Sequence, residues 1–128
     1  MRFYDPKGVI MAELSSKEIT RIVYAVLEEK KAGDVRIIEI GDISPIADYF
    51  IICDGQNTPQ VEAMVDNVKD KLFAVGIEPK RIEGMKNAGW ILMDYGDVVV
   101  HVFSKQDRLF YDLERVWRDG KTVSADEL

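Results

Sequence analysis

The sequence predicts a mixed α/β fold of the α+β kind: about five strands in one sheet, with helices packed on it. Short β-branched runs alternate with longer segments whose apolar residues recur at helical spacing. One run, Tyr49 to Cys53, is apolar throughout, as in a strand covered on both faces. Two further apolar runs, within residues 89–103, are joined by a short glycine-containing link, as in a β-hairpin. At 128 residues the chain has the length of one domain and can bury one core.

Residues 1–14 are expected to be a flexible leader: the first ten lack periodicity, and Met11-Ala12-Glu13 offers a second translation start. The single domain is expected over 15–120, with a polar tail over 121–128. Ser15 and Glu18 form an S-x-x-E capping box, after which Ile19, Ile22, Val23, Val26 and Leu27 make one apolar stripe. Lys30 and Lys31 suit the helix C-terminus and Gly33 is its expected stop. Val35–Ile40 predicts a strand. Asp48–Asp54, following a Ser44-Pro45 turn, predicts a second one, central in the sheet. Asn57 with Pro59 starts a second helix, striped by Val61, Met64, Val65, Val68 and Leu72 and closed by Gly76. Residues 49–84 therefore predict a parallel strand–helix–strand crossover.

In the hairpin, a Tyr95-Gly96 loop would set Asp94 against Asp97, Leu92 against Val99 and Trp90 against His101. Ile91, Met93, Val98, Val100 and Val102 then form a wholly aliphatic second face that belongs against helices. The first face mixes an indole, an imidazole and carboxylates, a composition suited to recognition. The bland alternative is that the protein's own helices cover Trp90 and His101. A last helix, capped by Ser104 and Asp107, carries Leu109, Phe110, Leu113, Val116 and Trp117 on one stripe and ends at Gly120, with Tyr111 turned towards Arg108 and Arg115.

Seventeen Lys and Arg against 23 Asp and Glu give a net charge of −6, which disfavours tight direct nucleic-acid binding and favours a basic protein partner. The lone Cys53 excludes an intrachain disulfide. No apolar run is long enough for a membrane span, and a cytoplasmic setting, or an organellar stroma or matrix, is expected. Catalytic motifs are missing: there is no phosphate-binding glycine loop and no H-E-x-x-H, so neither cofactor nor metal is expected. His101 reads as a contact or packing residue before a catalyst, and Cys53 as an inert buried thiol. Asp94 and Asp97 read as turn formers before a metal pair. The predicted sheet is nucleotidyltransferase-like, but the strand carboxylates and Gly-Ser turn of that chemistry are absent. A degenerate nucleotide-binding domain using Asp48, Asp54, Asp94 or Asp97 is the alternative reading, and a general adaptor is a third.

The runs Ala47–Cys53 and Gln60–Ala63, the hairpin Gly89-Trp90-Ile91-Leu92-Met93-Asp94-Tyr95-Gly96-Asp97-Val98-Val99-Val100-His101-Val102-Phe103, and the helix Tyr111–Trp117 resemble the ribosomal silencing factor family, also called Iojap. The resemblance covers roughly residues 15–118. It implies a non-enzymatic homodimer that binds the large ribosomal subunit through a basic ribosomal protein at the subunit-joining face. Bound there, it would block joining of the small subunit and repress translation. Carried over by position, it implies contacts at Trp90, Asp94, Asp97 and His101, with Arg108 and Tyr111 nearby. The chain departs from the family after Cys53, where a small polar run ending in Arg-Gln is usual and Pro59 here replaces the basic side chain.

Overall fold

The computed structural model describes residues 2–4, 10–84 and 89–128. Their elements in chain order are β1 (Arg2–Tyr4), β2 (Ile10–Glu13), α1 (Ser16–Glu29), β3 (Gly33–Glu39), β4 (Tyr49–Gly55), α2 (Thr58–Ala74), β5 (Arg81–Glu83), β6 (Trp90–Asp94), β7 (Val98–Ser104), α3 (Lys105–Tyr111), α4 (Leu113–Val116) and β8 (Lys121–Val123). A 3-10 turn over Ala125–Glu127 follows. Strands β3 to β8 form one mixed sheet in the order β5-β6-β7-β4-β3-β8, and β1 pairs antiparallel with β2 as a separate ribbon. No helix among the described residues is long and apolar enough to cross a membrane.

Local sequence sets the element starts. Ser15 and Glu18 make the reciprocal capping box on α1, and Asn57 accepts from the Gln60 amide to cap α2, with Pro59 in its first turn. The α1 stop differs from expectation. Lys31, at φ 59°, takes the left-handed position, which frees Gly33 to begin β3. A Cβ on Gly33 would collide with the Asp54 carboxylate, so the glycine is needed for close approach.

Both sheet faces are covered. Tyr49, Ile51 and Cys53 of β4, with Ile91, Met93, Val98, Val100 and Val102 of the hairpin, pack against the apolar stripes of α1 and α2. Phe50, Ile52, Val99 and Phe103 point the other way, under Leu113 and Trp117. This explains why β4 is buried at every one of its seven positions. It lies between β3, antiparallel, and β7, parallel.

Several expectations are corrected. The polar tail is part of the sheet: Lys121–Val123 pairs antiparallel with β3, and Val123 is buried. The leader contains β1 and β2, although residues 1 and 5–9 lie outside the described residues. The crossover from β4 through α2 to β5 is parallel, as expected. β5 pairs with β6 at the sheet edge, two strands beyond the β4 neighbourhood. The hairpin register is shifted by two residues: Asp94 faces Val99, Leu92 faces His101 and Trp90 faces Phe103. Gly96, at φ 88°, takes the first of two central turn positions, and the Tyr95 amide donates to the Val98 carbonyl at 2.9 Å. A Tyr95-Gly96 loop would have placed a tyrosine where glycine is favoured and exposed a ring that is instead fully buried. Because the shift is even, each side chain keeps its expected face. The last helix is broken. Asp112 is left-handed at φ 46°, so the expected stripe does not hold: Leu109 and Val116 are 81% and 70% exposed while Leu113 is buried.

Candidate functional site: the aromatic face of the hairpin

Trp90 and His101 are diagonal neighbours on the α3–α4 side of the hairpin, within the reach of large side chains. The indole Nε1 donates to His101 Nδ1 at 3.1 Å. The Trp90 ring lies against Phe103, near-parallel with centroids 5.0 Å apart, and against Tyr111 of α3 at 4.8 Å. His101 packs edge-on against Phe50 at 4.7 Å, and Phe50 against Trp117 at 5.0 Å. Six rings thus form one continuous cluster. Phe50, His101 and Phe103 are sealed, whereas Trp90 and Trp117 are half-buried and Tyr111 is 45% exposed.

The expected outward patch is therefore only partly a surface. His101 is 3% exposed, and burial pushes its pKa down from 6.5 to about 4. It is neutral at pH 7. Since Nδ1 accepts the indole proton, Nε2 carries the imidazole hydrogen, and it is buried without a hydrogen-bond partner among the described residues. That geometry makes His101 a support for the indole.

Arg108, expected near the contacts, lies in the interior. At 6% exposure its Nη1 donates to the carbonyls of Gly33 and Asp34, at 3.2 and 2.7 Å, and to Asp54 Oδ2 at 3.0 Å. Its Nε donates to Glu114 at 3.2 Å. It pins α3 and α4 to the end of the sheet at which β4 finishes. Asp94 lies at the opposite end, where Oδ1 accepts from the Gly96 amide at 2.8 Å and Oδ2 pairs with Arg81 Nε at 3.3 Å. Asp97 is exposed in the turn, and its carbonyl accepts from the amides of Asp48 and Tyr49 at 2.8 and 3.1 Å. The structure thus gathers Trp90, His101 and Tyr111, sets Asp94 and Asp97 at one end of the ribbon, and takes Arg108 away from both.

The same placement bears on nucleotide chemistry. Asp48, Asp94 and Asp97 lie at one end of the sheet and Asp54 at the other, neutralised by Arg108. No three His, Cys, Asp or Glu among the described residues are grouped to hold a metal ion. A cleft of about 730 Å³ opens at the carboxyl ends of β4 and β7, where α/β sheets commonly take ligands. It offers Lys105 against Glu62 and Asp107, a balance that does not favour phosphate. Gln60 beside it is committed to structure, accepting from the Gln56 amide at 2.7 Å and donating to the Lys31 carbonyl at 3.0 Å. Cys53 is fully buried, and burial pushes its thiol up to about 12, far from a thiolate nucleophile.

Sequence reading missed Phe50, Phe103 and Trp117 as partners of the Trp90–His101 pair. The signal for Phe103 was present, since counting the turn from Gly96 places it opposite Trp90. Phe50 and Trp117 come from other elements, and no local pattern locates them.

Comparison with known proteins places this arrangement. A family model described as "Ribosomal silencing factor during starvation" matches residues 13–128. The Ribosomal silencing factor RsfS of Bacillus subtilis is 41% identical over 113 residues, 88% of this chain and 96% of that protein. The crystal structure of protein CV0518 from Chromobacterium violaceum superposes with a TM-score of 0.79 at 31% identity, covering 87% of this chain and 92% of that one. A mouse protein named "Mitochondrial assembly of ribosomal large subunit protein 1" is 28% identical over 99 residues, 75% of this chain and 43% of that protein.

Proposed function

Because the chain belongs to the ribosomal silencing factor family, we propose that it binds the large ribosomal subunit through a basic ribosomal protein at the subunit-joining face and there blocks joining of the small subunit. The observation that carries this reading is the uncovered edge of the aromatic cluster. Trp90 and Tyr111 present ring surface on a braced scaffold, and rigid aromatic anchors of this kind dominate protein interfaces. The net charge of −6 favours a basic partner, and the name of the mouse relative ties that protein to large-subunit assembly.

In this reading Trp90, Tyr111, Asp94 and Asp97 touch the partner, while His101 and Arg108 act behind them as positioning residues. The protein acts by occupancy: it fills a face that a second large body needs, with no bond made or broken. The test is to incubate purified large subunits with the protein, add small subunits and measure joined ribosomes by gradient sedimentation. Joining should fall as the protein is added. Tyr111→Ala should restore joining and weaken large-subunit binding by roughly 2 kcal/mol, the scale of an interface anchor. Joining that proceeds unchanged with saturating protein would sink the reading.

A further inference from the structure

We propose that the loop joining β3 to β4, residues 41–48, is a second docking surface of the same protein, shaped for a basic protein segment that sets an apolar side chain between Ile43 and Ile46. The inference rests on the ribosome-binding reading and extends it from the hairpin face to the end of the sheet. Ile43 and Ile46 are 49% and 61% exposed. They are held there by an ordered turn: the amides of Ile43 and Ser44 donate to the Ile40 carbonyl at 3.0 and 2.9 Å, and the Ile46 amide donates to Ser44 Oγ at 3.2 Å. The far side of the loop is tied down as well, since the Ile40 amide donates to the Asp48 carbonyl at 2.8 Å. Two aliphatic side chains fixed outward in a closed turn keep their apolar surface in water, and a partner that covers them recovers it.

Charge identifies the partner. Asp42 and Asp48 are exposed in the same loop as the two isoleucines, Asp97 is exposed in the turn bonded to that loop, and half-buried Glu39 lines one cleft with Asp42 and Asp48. None of the four side chains has an ion pair or hydrogen bond among the described residues. Asp97 is joined to the loop through its carbonyl, which accepts from the Asp48 amide. The nearby cations are Lys17 beside Asp42, Lys80 packed on Gly96, and Lys121, which pairs with Glu127 at 3.5 Å. The carboxylates therefore have unspent field. They are not grouped to hold a metal ion, and they repel a phosphate backbone. Two exposed isoleucines on a loop that also carries exposed carboxylates fit lysine- or arginine-rich protein and not RNA.

The test uses the full chain and purified large ribosomal subunits. Ile43→Ser/Ile46→Ser should keep the melting temperature of the native protein, because both side chains are exposed, yet weaken co-sedimentation roughly tenfold, the change expected for losing two covered aliphatic contacts. Asp42→Lys should weaken binding at low salt and lose that effect at high salt. A photoreactive benzoylphenylalanine replacing Ile46 should cross-link to a basic ribosomal protein. If the native protein co-sediments while both loop variants bind equally well, or if the cross-link goes to ribosomal RNA, this surface is refuted and the hairpin reading stands. If the native protein does not bind large subunits at all, both fall together.

Discussion

At the residue scale the decisive side chain is His101, the only histidine in the chain. Folding holds its pKa near 4 by burial, below the 6.5 of the exposed group, so the unfolded chain binds the proton more readily. The sign follows: its contribution to stability is complete above about pH 6.5 and is lost as pH falls towards 4. The shift corresponds to on the order of 3 kcal/mol. Urea unfolding between pH 4.5 and 7.5 should show stability rising through this range, and His101→Gln should flatten the slope while loosening the Trp90 indole. An unchanged slope in the variant would show that the imidazole is not the titrating group. Arg108 is the other residue whose role is interior. Arg108→Met leaves Asp54 charged and 8% exposed, so it should cost about 3–5 kcal/mol, measured as a fall in denaturation midpoint. Adding Asp54→Leu to it should recover part of that loss, because the stranded charge goes with it.

At the scale of elements, the last helix was expected to run unbroken to Gly120, and its apolar spacing gave no hint of the break at Asp112. One aspartate in the left-handed region turns the chain, so that Arg108 and Leu113 face inward while Leu109 and Val116 are left in solvent. A non-glycine residue held there costs roughly 1 kcal/mol, less for Asp than for a β-branched side chain. Asp112→Gly should therefore hold or slightly raise the unfolding free energy measured by denaturant titration, and Asp112→Val should lower it by about 1–2 kcal/mol. If both variants behave alike, the turn is not the constraint. The hairpin teaches the reverse lesson. Its faces were legible from alternation even though its register was not, because a two-residue shift moves every pair and flips no side chain.

For the whole molecule, the last eight residues belong to the fold. Val123 is buried against β3, and Gly120 just before it fits closely against Ile38 and the Glu39 carbonyl. Deleting 121–128 should cost roughly 1.5–3 kcal/mol, the value of one buried aliphatic side chain, and should open the edge of β3 to self-pairing. A lower melting temperature with a rise in sedimentation coefficient would show both effects, and unchanged values would make the segment a true tail. The sequence by itself determined the fold class, the caps of α1 and α2, the two-sided burial of β4 and the aliphatic face of the hairpin. These follow from hydrogen bonds within a few residues and from periodicities of 2 and 3.6 along one element. Tertiary structure alone decided that Lys121–Val123 joins the sheet, that His101 and Arg108 lie inside, and that Phe50 and Trp117 complete the aromatic cluster. Each of these depends on which distant segment covers which face, and that is settled by packing between elements remote in sequence, not by any local pattern.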